Sequence, residues 1–588
     1  MMKMEHTINL LDITCKSFLS LFAIMRLTQM NTTDPMSLLI FAVFFYIYRK
    51  LSSSSLKTRM KDADPWYAGI LAALFTLFTL AATGSTLYGD MASTLFRLII
   101  LILSAAGLGL IYYHAVLCLL IYVSPLRIDT MLYPQPWLPY IAFGACLLAW
   151  LPYYLHEYPG VMTPDSINQY AQIIGAYELS NHHSVIHTLL IGFFYHIGMQ
   201  LTGNAYVGLG FYTFFQMCFM AFTAGYVVRT LQKAHIITPV CIVTICFYAL
   251  MPYHGIFAVT IWKDIPFAGC VTLAAASLLR LLLCDKLSRL KAADYFTILL
   301  PYLLSSIMMC LLRTNGWYIF LVTLPFVLFV FRDRWKVMIP VHLIILALVL
   351  FVKYPCMNVY EIKQADFAES VSIPVQQLAC VVARGESLTD EQRETLSHYM
   401  DLEQVASLYQ PDVSDPIKNL IRSTSGTYLD SHKGEFLSLW FSVGLSHIPA
   451  YFDAYVAQTH GFWYPAGDYE VGLSDGIYPN DFGLTWQPLL KGSIIIKIRE
   501  ILFKLWKLIP LFGFLWSMGG MFWSLLISLC MCLRESRYAN AVLMIPAMVL
   551  VITLCIATPV ATEFRYAYAL FYGLPLYVMM PFIRSNDR

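Results

Sequence analysis

The sequence predicts an all-α, multi-pass membrane protein with a large polar domain inserted late in the chain. Three observations carry this reading. Hydrophobic residues fill 59% of the 588 positions and charged residues only 13%, about half the charged share of a soluble domain. Mean hydropathy is +0.64. Apolar runs approaching the roughly 20 residues needed to cross a bilayer recur along the chain, except between residues 355 and 500.

Those runs lie near residues 35–49, 66–86, 94–123, 137–155, 205–228, 236–255, 265–284, 294–312, 316–331, 336–354, 508–532, 540–558 and 566–583. A weaker run at 8–27 is interrupted by Asp12 and Lys16, so 13 or 14 spans are expected. The expected organisation is N-terminal transmembrane helices over 1–136 and a transmembrane core over 137–354, whose first outer loop is 156–204. An extracytoplasmic domain over 355–500 and C-terminal helices over 501–588 follow. Net charge is +2, so no basic field points to a nucleic-acid partner. The 14 cysteines are scattered without metal-ligand spacing and read as small hydrophobes. Cys356 and Cys380 fall in the insert, where an incidental pair is expected rather than a disulfide. No cleavable-signal pattern follows Lys3.

Lysine and arginine in short loops set orientation. Basic residues cluster near 49–61, 229–233, 286–291, 332–336, 534–537 and 584–588, which are expected on the cytoplasmic side. One topology fits them all if residues 184–201, with His187 and His196, form an interfacial or re-entrant helix. Five polar segments then share the outer face: 156–183, 262–264, 313–316, 355–500 and 563–566. The insert holds about half of the 36 acidic residues and reads as a mixed, mainly helical domain. Residues 372–385 have helical periodicity, and Thr389 followed by Gln392 is a capping pattern. Residues 461–481 read as loop, and 497–508 as a basic amphipathic helix lying on the membrane.

The first outer loop carries the most suggestive chemistry. Thr163 suits an N-cap, Pro164 the first helical position, and Asp165 the first turn. A helix start with a dipole-complementing acid accounts for Asp165 alone. It does not account for Gln169 one turn on, nor for His182, His183 and His187 beyond it. His183 and His187 share an i,i+4 face if helical, a weak metal signal without an intervening glutamate. A carboxylate beside imidazoles and an amide can bind a sugar hydroxyl or a divalent cation, or remove a proton. Lys263 and Asp264 follow an interfacial Trp262, Arg313 and Asn315 join two helices, and Glu563 and Arg565 precede the final one. Each turn alone reads as a snorkelling lysine, a helix end or a weak ion pair. Together with Asp165 they set three acids and three bases at the level of a lipid phosphate, which guanidinium and ammonium groups neutralise.

Taken in order, Pro159-Gly160-Val161 with Pro164-Asp165-Ser166 and Gln169, then Lys263-Asp264-Ile265-Pro266-Phe267, Arg313-Thr314-Asn315-Gly316 and Glu563-Phe564-Arg565-Tyr566, form a recognisable set. It resembles an uncharacterised family of polytopic membrane proteins found largely in Gram-positive bacteria. That family is similar in architecture to the GT-C glycosyltransferases. The resemblance runs from about residue 137 onward. It implies sugar transfer from a polyprenyl-phosphate donor on the outer face, with Asp165 as base or metal ligand. Many GT-C enzymes carry paired acids here, whereas Ser166 follows Asp165. Glu157 or Asp264 would have to supply a second carboxylate to a divalent metal such as Mg or Mn.

The expected function is therefore a cell-membrane glycosyltransferase of the envelope, acting on a glycan, lipid or protein acceptor. Asp165 is its catalytic residue. Ser166, Gln169, His182, His183, His187, Lys263, Asp264, Arg313, Asn315, Glu563 and Arg565 are its substrate-binding set. A transporter or lipid flippase is the alternative, though no internal repeat marks one. A non-catalytic envelope scaffold is the third class.

Overall fold

A bilayer leaves backbone N–H and C=O groups no partners but each other, so apolar runs fold as helices. The computed structural model describes residues 2–53, 60, 65–89, 91, 93–123, 126, 135–284, 295–465, 471, 475–509 and 511–584. Among these residues every regular element is helical, and β pairing is confined to isolated bridges. The described part of the insert is accordingly helical rather than mixed.

Two compact units divide the chain, one of Met1–Arg127 with Leu526–Ser536, the other of Ile128–Leu525 with Arg537–Arg588. The first contains α1 (Met2–Leu27), α2 (Met36–Leu51), α3 (Pro65–Tyr88) and α4 (Thr94–Tyr122). Gly107 of α4 packs on the Leu19 backbone of α1, where a side chain would collide. The Ser20 and Tyr48 hydroxyls tie α1 to α2 at 2.7 Å.

The second unit opens with α5 (Leu138–His156), α6 (Pro164–Ile173), α7 (Val185–Thr202) and α8 (Ala205–Lys233). It continues with α9 (Thr238–Leu250), α10 (Pro252–Ala258), α11 (Asp264–Leu282), α12 (Leu300–Leu312), α13 (Thr314–Val330) and α14 (Trp335–Phe351). Among the described residues of the whole chain, nine helices are long and apolar enough to cross a membrane, or ten with the bent pair α9 and α10. The expected 13 or 14 exceeds this for local reasons. Pro252 has no N–H to continue α9, and α10 restarts at 56° to it. The run expected at 508–532 is broken by Leu511 at φ 66° and a 3₁₀ turn, Phe512–Trp516, before Met518–Arg534. α13 reaches only 17 residues and the final helix, Tyr568–Met579, only 12.

Helix α7 satisfies the length criterion, yet its neighbours restrict where it runs. Gly225 of α8 packs on the Pro139 carbonyl of α5, while the Tyr154 hydroxyl donates to the Gly210 carbonyl at 3.1 Å. Helices α5 and α8 are therefore antiparallel, with His156 and Ala205 at the same end of the bundle. α7 starts and finishes at that end, as an interfacial helix does. The basic turn at 332–336 lies at the opposite end, where Arg334 donates to the carbonyls of Leu281 and Cys284. The basic loop at 286–291 lies outside the described residues.

The insert contributes α15 (Ser372–Ala383), α16 (Asp390–Ser397), α17 (Leu402–Leu408), α18 (Asp415–Ser425), α19 (Lys433–Ser446) and α20 (Ile448–Trp463). They close around Val375, Leu378, Leu396, Tyr399, Ile417 and Phe436. Thr389 caps α16 in the expected box with Gln392. Cys356 and Cys380 are free thiols. The chain then returns across the bundle end, where Trp486 Nε1 donates to the His156 carbonyl at 2.9 Å. It enters α21 (Ser493–Leu508), which buries no residue and exposes Ile494, Ile498 and Ile501. This is the amphipathic helix expected at 497–508. The helices α22 (Met518–Arg534), α23 (Ile545–Ile556) and α24 (Tyr568–Met579) complete the chain.

Candidate functional site

The backbone before α6 is held from both sides. The Ile261 N–H donates to the Val161 carbonyl and the Val161 N–H to that of Val259, at 2.9 and 3.0 Å. Met162 exchanges two 2.8 Å bonds with the return segment, to the Gly476 carbonyl and from the Tyr478 N–H. The Thr163 N–H donates to Ser166 Oγ at 2.9 Å, closing the cap, and Thr163 Oγ1 accepts from Trp262 Nε1 at 2.7 Å. Asp165 is thereby fixed in the first turn of α6, beside the turn that leads into α11.

Four of the five expected outer segments meet there. Arg565 Nη1 lies 2.8 Å from Asp165 Oδ2, and Arg565 Nε lies 3.5 Å from Glu563 Oε1. The same guanidinium sits over the Trp262 ring, 4.5 Å from its centroid. His183 Nε2 stands 4.0 Å from the other Asp165 oxygen. Arg313 pairs with Asp264, whose side chain is 2% exposed, and stacks 4.9 Å from the Tyr566 ring. Asp165 keeps 34% of its side chain accessible, so a ligand can reach it. Only the backbone carbonyl of Lys263 is engaged, by the Phe267 N–H, and its ammonium has no hydrogen bond and no ion-pair partner within 4.0 Å among the described residues. It is the one cation of the recess in that position.

Burial acts on each of these groups, and the neighbours decide the outcome. Desolvation alone would raise the Asp165 pKa, but Arg565, then His183 and Lys263, hold it at about 2. Desolvation raises Glu563, and Arg565 offsets this only in part. Burial, then Lys263, pushes His183 down to about 4 despite Asp165, so its imidazole is neutral at pH 7. Burial also lowers Lys263, against the pull of Asp264 and Asp165.

Other expected site residues serve the scaffold. Ser166 is 1% exposed and occupied by the cap. Gln169 donates to Thr188 Oγ1 at 2.9 Å and accepts from or donates to nothing in the recess. Its carbonyl oxygen meets His187 Nδ1 at 2.9 Å, while His187 Nε2 meets the Tyr212 hydroxyl at 2.6 Å. Both His187 nitrogens are thus engaged, and Ser184 caps α7 between the two histidines, so His183 and His187 share no helical face. His182 is exposed and packs edge-on to His183 at 4.7 Å. Asn315 donates to Thr553 Oγ1 at 2.7 Å, joining α13 to α23.

The second carboxylate is not Glu157. Its side chain is 1% exposed, accepts from the Gly476 N–H at 2.8 Å and lies 3.5 Å from Arg499 Nε. Desolvation raises its pKa, with Arg499 opposing. Asp264 is held by Arg313. Among the described residues no group of three His, Cys, Asp or Glu could hold a metal ion. With Asp165 and Asp264 each bonded to a guanidinium, the donor set does not fit Mg or Mn and suits an anion better.

Sequence reasoning missed Trp262 and Tyr566 as walls for the two guanidinium groups, and Gly476 and Tyr478 as supports of Met162. Trp262 and Tyr566 adjoin the charges in sequence, a legible signal for cation–π contacts. The return segment has no such signal, since its partner lies in a distant loop.

Residues 174–588 match the family of unknown function DUF6020. The chain belongs to that family. Neither the curated proteins nor the solved structures gave a match. The DUF6020 span takes in His183, Lys263, Asp264, Arg313, Glu563 and Arg565, and begins just after Asp165. Within this DUF6020 member the recess therefore joins an acid upstream of the matched span to cations inside it.

Proposed function

We propose that the recess binds the phosphate of a polyprenyl-linked sugar and transfers the sugar to an acceptor hydroxyl on the outer face of the cell membrane. The observation that supports this most is Lys263, an ammonium without a close counter-ion, beside two guanidinium groups and a reachable carboxylate. A phosphate entering between Lys263 and Arg565 competes with Asp165 for the guanidinium. Losing that partner raises the Asp165 pKa toward a range useful for proton transfer. The acceptor oxygen then attacks the anomeric carbon and its proton passes to a carboxylate, Asp165 or Glu563. The bond from that carbon to the phosphate oxygen breaks, and polyprenyl phosphate leaves with the electron pair. Cations fixed in advance stabilise the charge that builds on it. The basic turns at the other end of the bundle support an outward-facing recess.

The bend between α9 and α10 gives the transporter reading its own observation, since broken helices line transport sites. The N-terminal turn of α10 is packed instead: Tyr253 and His254 are fully buried, and His254 Nδ1 bonds the Tyr568 hydroxyl at 2.8 Å. Release of polyprenyl phosphate by the purified protein, supplied with a polyprenyl-phosphate hexose and mixed envelope acceptors, tests the enzyme reading. Movement of the intact lipid-linked sugar between leaflets without release would replace it with the flippase.

A further inference from the structure

Helix α19 is apolar on two sides. Phe436, Leu439 and Val443 face the core of the insert, while Leu437, Phe441 and Leu445, at i, i+4 and i+8, are exposed. Ile448 and Phe452 of α20 extend that stripe and are 64% and 50% exposed. Between the two helices runs an open groove of about 350 Å³, walled by Trp440, Tyr451 and Tyr455. A surface helix of a globular domain needs only one apolar stripe, facing its core, and further contiguous exposed apolar surface marks an interaction site.

The register of α20 against α23 indicates which. Gly461 packs on the Ala561 carbonyl, Gln458 Nε2 donates to the Thr558 carbonyl at 2.6 Å, and Tyr455 meets Cys555. The two segments run parallel, so α20 extends from Tyr455 toward Phe452 and Ile448 in the direction that α23 enters its span. There α23 exposes Ile552 and Ile556, and it belongs to a membrane-span candidate. The stripe is thus continuous with a lipid-facing flank. The opposite flank of the α19 and α20 hairpin is polar: Ser442 bonds Gln392 at 2.9 Å, Asp453 pairs with Arg384 at 2.8 Å, and His447 bonds the Ser387 carbonyl at 3.1 Å.

We propose that the α19 and α20 hairpin seats its apolar stripe in the adjoining leaflet, with lipid hydrocarbon chains filling the groove. This anchor is independent of the reaction at the charged recess. One polar and one apolar flank is the pattern of an interfacial element, here supplied by the insert itself rather than by a span.

The test uses the full chain in vesicles of phosphatidylethanolamine and phosphatidylglycerol. The photoreactive residue p-benzoylphenylalanine replaces Phe441 or Phe452 on the stripe, or Glu391 on the polar side. Illumination is expected to add the mass of one phospholipid at 441 and 452 and to give no lipid adduct at 391. Crosslinks to a second copy, an absence of any adduct on the stripe, or equal lipid labelling at 391 would each overturn the proposal. All three positions are exposed, so a larger side chain there spares the core and folding does not limit the experiment.

Discussion

The Asp165 carboxylate and the Arg565 guanidinium lie 2.8 Å apart across 400 residues of sequence. Asp165→Asn keeps the size and the early-helix compatibility of the side chain but gives up the charge. Polyprenyl-phosphate release is expected to fall by about a hundred- to ten-thousandfold. The thermal midpoint near neutral pH is expected to fall modestly, since the pair's contribution is lost there while Glu563 Oε1, 3.5 Å from Arg565 Nε, keeps the guanidinium a counter-ion. Near wild-type release would leave Asp165 a helix-start residue.

The acid side of the stability profile reports the same pair. The folded pKa of Asp165, about 2, lies below the unfolded value of about 3.9. Its contribution is complete above the unfolded value and disappears as pH falls through the folded one. Thermal unfolding followed from pH 6 to pH 2 is expected to lose part of its acid-side decline in Asp165→Asn. An unchanged slope would mean that Arg565 does not hold the carboxylate in solution.

Lys263 and Arg313 are expected to separate binding from stability. Arg313 faces an Asp264 that is 2% exposed, so Arg313→Ala leaves a buried acid unpaired, at a cost of about 3–5 kcal/mol. Adding Asp264→Asn is expected to recover most of the loss, which circular-dichroism melts would follow. Lys263→Met removes a cation without a close counter-ion and is expected to raise the KM for the lipid-linked donor while the melt is kept. An unaltered KM would move the phosphate elsewhere.

In the pH profile of activity, Glu563 and His183 are expected to part. The raised pKa of Glu563, against the lowered one of Asp165, makes Glu563 gain its proton before Asp165 as pH falls. Glu563→Gln is therefore expected to flatten the acid limb. His183, at about 4, is already neutral, so His183→Gln is expected to leave the profile above about pH 5 in place. The reverse pattern would exchange their roles.

Within the scaffold, His187→Leu strands Gln169 Oε1 and leaves the Tyr212 hydroxyl only its bond to Gln216 Oε1. Each buried group left without a partner costs about 1–3 kcal/mol. A lowered thermal midpoint with the rate per folded molecule preserved is the expected result, and a rate loss without destabilisation would return His187 to the site.

The apolar runs foretold most helix positions because backbone satisfaction in lipid permits little else. Charge balance between loops foretold that 156–183, 262–264, 313–316 and 563–566 would share one end, and the contacts of Asp165, Trp262, Arg313 and Arg565 bring them together. Helix lengths were less legible, since a break such as that at Met251 depends on how Tyr253 and His254 pack. Individual roles were least legible. Gln169 and His187 have the composition of a ligand set, and only the positions of Thr188 and Tyr212 turn them inward. Arg313 reads as a wet boundary residue until Asp264 is found buried beneath it.

Because the guanidinium over Trp262 comes from the penultimate stretch of helix-forming chain, the order of synthesis matters. At roughly 5–20 residues per second, a ribosome needs roughly 20–80 s between Asp165 and Arg565. Once Lys263 has also been made, the acid and its imidazole neighbour wait beside it without the cation that later dominates them. The charged recess is completed only in the turn just before α24, so chains released early would carry the inserted helices and most spans but lack the Asp165–Arg565 pair.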